Sequence, residues 1–158
     1  MSYSNTKRTE VCIQFSGGSD SSLTAYRMSS MFEKIHLLTF KHFGQINIEN
    51  SQKSFDILDK AIPGRFIHAI IPVNEIFLKI YQHNYWKNIF RYGTLQLQFT
   101  CFACQACFHV STIKYCKNNN IYDVRDGANT EYEEASPMQI EIVKSEIKRL
   151  YEDYGILH

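Results

Sequence analysis

No stretch of the chain reaches the roughly 18 consecutive apolar residues that a membrane-spanning helix needs. The first ten residues, Met1 to Glu10, are polar and hold no apolar signal-peptide core. A cytoplasmic protein with no membrane partner is therefore expected. Charge of one sign is also missing: 17 Lys and Arg stand against 16 Asp and Glu, a formal net charge of +1. There is no basic run and no strong footprint for nucleic acid. A local basic groove stays open, because a small net charge says nothing about distribution. Internal repeats and linker-like segments are absent, and the one low-complexity patch, Asn118-Asn119-Asn120, reads as a helix end and a turn. Five cysteines, an odd count, argue against a closed disulfide framework and leave thiols or metal ligands.

What is present is enough for one domain spanning residues 1–158. An apolar fraction of 44% with 14% aromatics supplies a packed core rather than disorder. Apolar β-rich runs alternate with helical patterns. Val11 to Phe15, Ile35 to Phe40, Arg65 to Val73 and Ile121 to Val124 read as nearly continuous strands, as in a parallel sheet buried on both faces. Helices are expected over Ser21 to Phe32, Ile48 to Ile62, Asn74 to about Asn84, and Gln105 to Asn118, the last with Ala106, Val110, Ile113 and Cys116 in register. A final helix has Ser136 as cap, Pro137 in its first turn and Gln139 completing a capping box. Its buried stripe is Ile140, Val143, Ile147, Leu150, Tyr151 and Tyr154, and Gly155 stops it. The alternation predicts an α/β fold, a doubly wound parallel sheet with helices on both faces, with ligands at the C-terminal ends of its strands.

The turn from the first strand into the first helix reads Ser16-Gly17-Gly18-Ser19-Asp20-Ser21-Ser22. Free backbone N–H groups and the positive end of a helix dipole meet there. Gly17 and Gly18 allow positive φ and close approach, and four serines add hydroxyl donors, which together suit an anion of phosphate size. The stretch lacks the Gly-Lys-Ser/Thr ending of a Walker A loop and the G-x-G-x-x-G spacing of dinucleotide folds. Asp20 would repel a polyphosphate unless it holds Mg²⁺ between the two. The plainer alternative is a Gly-Ser turn with Asp20 serving the helix N-terminus.

Ser16-Gly17-Gly18-Ser19-Asp20-Ser21 resembles the S-G-G-x-D-S loop of the PP-loop ATP pyrophosphatases, the adenine nucleotide alpha hydrolase group. The resemblance implies a parallel α/β fold whose loop, Ser16 to Ser22, binds the pyrophosphate part of ATP. It implies transfer of AMP to a substrate oxygen, then displacement of AMP by a nitrogen or sulfur nucleophile, with Asp20 as the Mg²⁺ carboxylate. Asp126-Gly127-Ala128-Asn129-Thr130-Glu131 resembles the family's D-G-x-N-x-D/E segment, which lies near the nucleotide and the acceptor; the resemblance implies Gly127 and Asn129 at the nucleotide, and Asn129 and Glu131 near the second substrate or a metal. The alternative is a polar turn. Phe40, with Lys41 and His42, lies just after strand two, where the family holds adenine.

Cys101, Cys104 and Cys107 have C-x2-C-x2-C spacing, which can converge on one ion or cluster where the backbone turns. A nearby helix start would favour thiolate; the alternative is small buried hydrophobes. For a fourth ligand, Cys116 is half a helical turn out of line with Cys107, Cys12 sits inside a strand, and His109 is a candidate. The family's 7-cyano-7-deazaguanine synthase-like branch binds zinc with a further upstream cysteine, which residues 92–100 lack. Sulfur-transferase branches hold a [4Fe–4S] cluster by three cysteines. Zinc and [4Fe–4S] both stay open.

The expected function is thus an ATP-dependent ligase or sulfurtransferase that forms AMP and pyrophosphate. Its acceptor is expected to be a small molecule or protein rather than tRNA, because tRNA-directed relatives carry extra RNA-binding segments. A C-terminal extension seen in relatives is expected to be absent or replaced by a second subunit, which makes a homo-oligomer the expected state. The alternatives are a non-catalytic ATP- and metal-binding module, or subunit of a larger complex, and a zinc-stabilised interaction protein.

Overall fold

The computed structural model describes residues 9–43, 48–83, 85–93, 96–127 and 141–158. In chain order the elements are β1 (Glu10–Gln14), α1 (Ser19–Met28), β2 (Lys34–Lys41), α2 (Ile48–Ala61), β3 (Phe66–Pro72), α3 (Asn74–Gln82), α4 (Tyr85–Tyr92), α5 (Gln96–Asn119), β4 (Val124–Arg125) and α6 (Glu141–Asp153). The strands form one parallel sheet in the order β3-β2-β1-β4. Val11 lies opposite Ile35, and Cys12 opposite both His36 and Val124.

Alternation along the strands makes two cores. Val11, Ile13, Phe15, Ile35 and Leu37 pack with Ala25 and Leu58, from α1 and α2. Cys12, Leu38 and Phe40 pack on the other face with Phe77, Cys107, Cys116 and Tyr151, from α3, α5 and α6. Both faces are covered, so the fold is the doubly wound α/β class. Chain order reverses between β1 and β4: α1 carries the chain from β1 to β2 on one side, while β4 arrives on the other. That switch point is where such sheets bind ligands.

Several elements differ from the sequence reading. β3 is an edge strand with Ile67 and Ile70 exposed, so it is not buried on both faces. β4 is Val124–Arg125 rather than Ile121 to Val124; Ile121 N–H still bonds Cys116 O at the end of α5. α4 was not expected. α5 starts at Gln96, not Gln105, and Val110 is exposed rather than on its buried stripe. Tyr151 of α6 is buried, but Tyr154 lies just past the end of the helix and is exposed. Gly155 (φ +71°) does end α6: Ile156 N–H bonds Tyr151 O and Gly155 N–H bonds Glu152 O, the two bonds of a Schellman cap. Leu157 then bridges Asp123 beside β4. The expected caps Ser136, Pro137 and Gln139, with Ile140, lie outside the described residues.

Candidate functional site

A cleft of about 590 Å³ opens at the C-terminal ends of β1 and β2. Its floor is Gln14, Phe15, Leu38 and Phe40. Ser16, Gly18, Ser19, Asp20 and Ser21 form one wall, and Asp126 and Gly127 after β4 flank it. Opposite stand Gln105, Phe108 and His109 of α5, with Lys144, Ile147 and Lys148 of α6.

The loop is built by its neighbours. Gly17 has φ +80°, and a Cβ there would lie 2.5 Å from Ser51 Cα and 2.7 Å from Ser51 N. Its carbonyl accepts a bond from Ser54 Oγ at 2.7 Å. Gly17 is therefore the point where the loop presses against α2, and it is absent from the cleft lining. Gly18 is different: its φ is −77°, not positive as expected, and it is the N-cap of α1 with no side-chain cap bond. Uncapped first-turn N–H groups therefore belong to residues that line the cleft. Ser16 and Ser21 hydroxyls meet at 3.3 Å, and Ser21 Oγ donates to Gly18 O at 3.2 Å, which braces the turn. Ser22, half-buried, does not line the cleft, and its N–H bonds Gly18 O. Across the cleft mouth, a Cβ on Gly127 would lie 3.0 Å from Ser21 N. That glycine lets the end of β4 close on the start of α1.

Phe40 is buried and stacks on Phe108 with centroids 4.8 Å apart. His109 is a member that sequence reasoning treated only as a possible ligand. It is buried, and its Nδ1 lies 3.0 Å from both the Gln14 amide nitrogen and the Tyr151 hydroxyl. An amide N–H can only donate, so Nδ1 accepts and the neutral ring carries its proton on Nε2. Burial, helped by His158, lowers the His109 pKa to about 4; Asp126 opposes this. Burial raises the Tyr151 hydroxyl. His158 stacks on Tyr151 at 4.5 Å and approaches Asp126 Oδ2 to 3.3 Å, an ion-pair distance without hydrogen-bond direction. No local signal announces this cluster, since Gln14 and His109 are 95 residues apart.

The cysteine triplet lies inside α5, not at a turn. Residues six apart on a helix are separated by about 9 Å along the axis and about 120° around it. Cys101 is exposed, Cys104 half-buried and Cys107 buried with its Sγ on Cys104 O at 3.0 Å. The three thiols do not converge as held, and among the described residues no group of three His, Cys, Asp or Glu is placed to hold a metal. Burial raises the thiols of Cys104 and Cys107, the latter to about 12, with the adjacent cysteine adding to each. The expected helix-start lowering is thus reversed. Cys104 instead meets His42 Nε2 at 3.5 Å. Cys12 and Cys116 are both buried core, as expected. Asn129 and Glu131 lie outside the described residues.

No family model and no curated protein matches the chain. Among solved structures, the fold is similar to that of a predicted subunit of tRNA methyltransferase from Methanocaldococcus jannaschii DSM. The TM-score is 0.56 at 19% identity, over 91% of this chain and 64% of that one. The chain thus spans about 64% of that protein's length. At this identity the likeness concerns the α/β fold. No described helix is long and apolar enough to cross a membrane.

Proposed function

We propose that the cleft binds ATP in the manner of PP-loop pyrophosphatases and adenylates a carbonyl-type acceptor, releasing pyrophosphate. The observation that carries this reading is the uncapped start of α1 at the β1/β4 switch point, held open by Gly17 against α2. A volume of about 590 Å³ is sufficient for a nucleotide. Loop amides and hydroxyls would take the diphosphate, and Lys144 and Lys148 would draw polyanions toward it. Phe40 would border the adenine end. Asp20 and Asp126 offer the hard oxygen donors that suit Mg²⁺, which when bound would neutralise charge between carboxylate and phosphate. The acceptor oxygen bonds the α-phosphorus as the bond to the pyrophosphate oxygen breaks. A nitrogen or sulfur nucleophile then displaces AMP. Asn129 and Glu131 are proposed near that second substrate by resemblance alone.

Pyrophosphate release from ATP, measured against small-molecule and protein carbonyl acceptors, tests the reading. Asp20→Asn is expected to lower it about a hundredfold with unchanged melting. Wild-type protein that binds no ATP overturns the proposal. A second reading, a non-catalytic ATP-binding subunit, is favoured by the structural neighbour's description as a subunit; ATP binding without turnover supports it.

The three-cysteine site is also a proposal, and it does not fit α5 as wound. Ligation of one ion by Cys101, Cys104 and Cys107 requires the first turns of α5 to unwind, so no catalytic step is assigned to it. Zinc or iron analysis with the visible spectrum of anaerobically purified protein decides: stoichiometric zinc, or iron with sulfide, supports the site, and metal-free protein removes it.

A further inference from the structure

The near-neutral net charge hides a strong asymmetry. From Ile76 to Tyr122 the chain has no Asp or Glu, but it has Lys79, Lys87, Arg91, Lys114 and Lys117. All 16 acids fall in the rest of the chain, beside 12 of the 17 cations. This acid-free segment supplies α4 and α5 and nearly all of α3.

On α4 the exposed side chains are of two kinds. Trp86 and Phe90, one helical turn apart, are 69% and 85% exposed. Lys87 and Arg91, also one turn apart, are exposed on the adjoining flank. Soluble proteins seldom leave two large aromatics in water beside paired cations without a use for them. A run of rings leads from the cleft to the last turn of α3. Phe40, on the cleft floor, stacks on Phe108; Phe108 meets His42 at 6.0 Å; His42 stacks on Phe77 at 5.2 Å; Phe77 stacks on Tyr81 at 5.6 Å. Three residues then separate Tyr81 from α4.

We infer that α4, which carries no acid of its own, forms a docking surface for single-stranded nucleic acid, with Trp86 and Phe90 stacking on unpaired bases and Lys87 and Arg91 on phosphates. Aromatic faces beside cations, with no acid on the same helix to repel the backbone, are the chemistry that single strands require. An anionic membrane is less well matched, since an eight-residue helix buries little area in a lipid interface. The inference does not rest on the ATP reading, and its test uses no ATP.

Trp86 is the sole tryptophan, so its emission reports on this surface directly. Full-length protein is titrated with oligouridylate, with oligothymidylate and with phosphatidylserine vesicles at low and high salt. The expected result is quenching by an oligonucleotide, with affinity falling steeply as salt rises. Quenching by both oligonucleotides assigns single strands in general, and quenching by oligouridylate alone assigns RNA. Phe90→Ala is expected to weaken binding roughly tenfold, and Lys87→Glu with Arg91→Glu at least as much. Circular dichroism melts verify that these surface variants fold. Absence of quenching at low salt, binding indifferent to both variants, or a preference for vesicles overturns the inference.

Discussion

Replacing Gly17 with alanine is expected to destabilise the domain by about 2–4 kcal/mol and to abolish the ATP binding proposed above. Two independent costs coincide there. The φ of +80° is one that L side chains rarely adopt, and the added methyl would lie 2.5 Å from the Ser51 Cα, a backbone atom that cannot swing away. Relief requires the loop to lift from α2, which also strains the Ser54 Oγ bond to Gly17 O. Two other glycines serve as controls. Gly64 has φ +72° with nothing within 4 Å of a new Cβ, so Gly64→Ala carries the conformational cost alone, about 1 kcal/mol. Gly18 has an ordinary φ and would meet Ser16 Oγ at 3.4 Å, so Gly18→Ala should fold normally and report on ligand approach. Urea unfolding of the three variants gives the ranking, and a Gly17→Ala protein within 0.5 kcal/mol of wild type would show that the loop does not lean on α2.

This contrast marks where the sequence was legible. The glycine-serine loop could be placed because its flanks speak locally: a continuous apolar strand before it and a helix after it. Which glycine has positive φ could not be read, because that depends on α2, more than 30 residues away. β1 and β2 were within about one residue for the same local reason. α5 was misread at its start because metal-ligand spacing outweighed a plainer signal: between Gly93 and Gly127 there is no glycine or proline to stop a helix. Asn120, at φ +56°, is what ends it. The Gln14–His109–Tyr151 contact was beyond reach, since three separate elements bring it together and none of the three is unusual in its own neighbourhood.

That contact should make stability depend on pH in a defined window. His109 falls from the ordinary 6.5 to about 4 because the folded protein holds it buried and neutral. Above pH 6.5 the ring is neutral in both folded and unfolded chains, and its contribution is complete. As pH falls from 6.5 to about 4 the unfolded chain gains a proton that the folded chain does not, so stability declines with falling pH. At 1.36 kcal/mol per pH unit the loss is about 3 kcal/mol, and below pH 4 this group adds no further slope. His42 and His68, both lowered by burial, push in the same direction. His109→Gln removes the largest of these, so the drop in melting temperature between pH 6.5 and 4 should be clearly smaller in the variant, whatever its absolute stability. Parallel curves for variant and wild type would mean that the ring is charged when folded. In that case His109 would present a cation to the cleft, beside Asp126, rather than the neutral Nε2–H donor that its contact with Gln14 fixes.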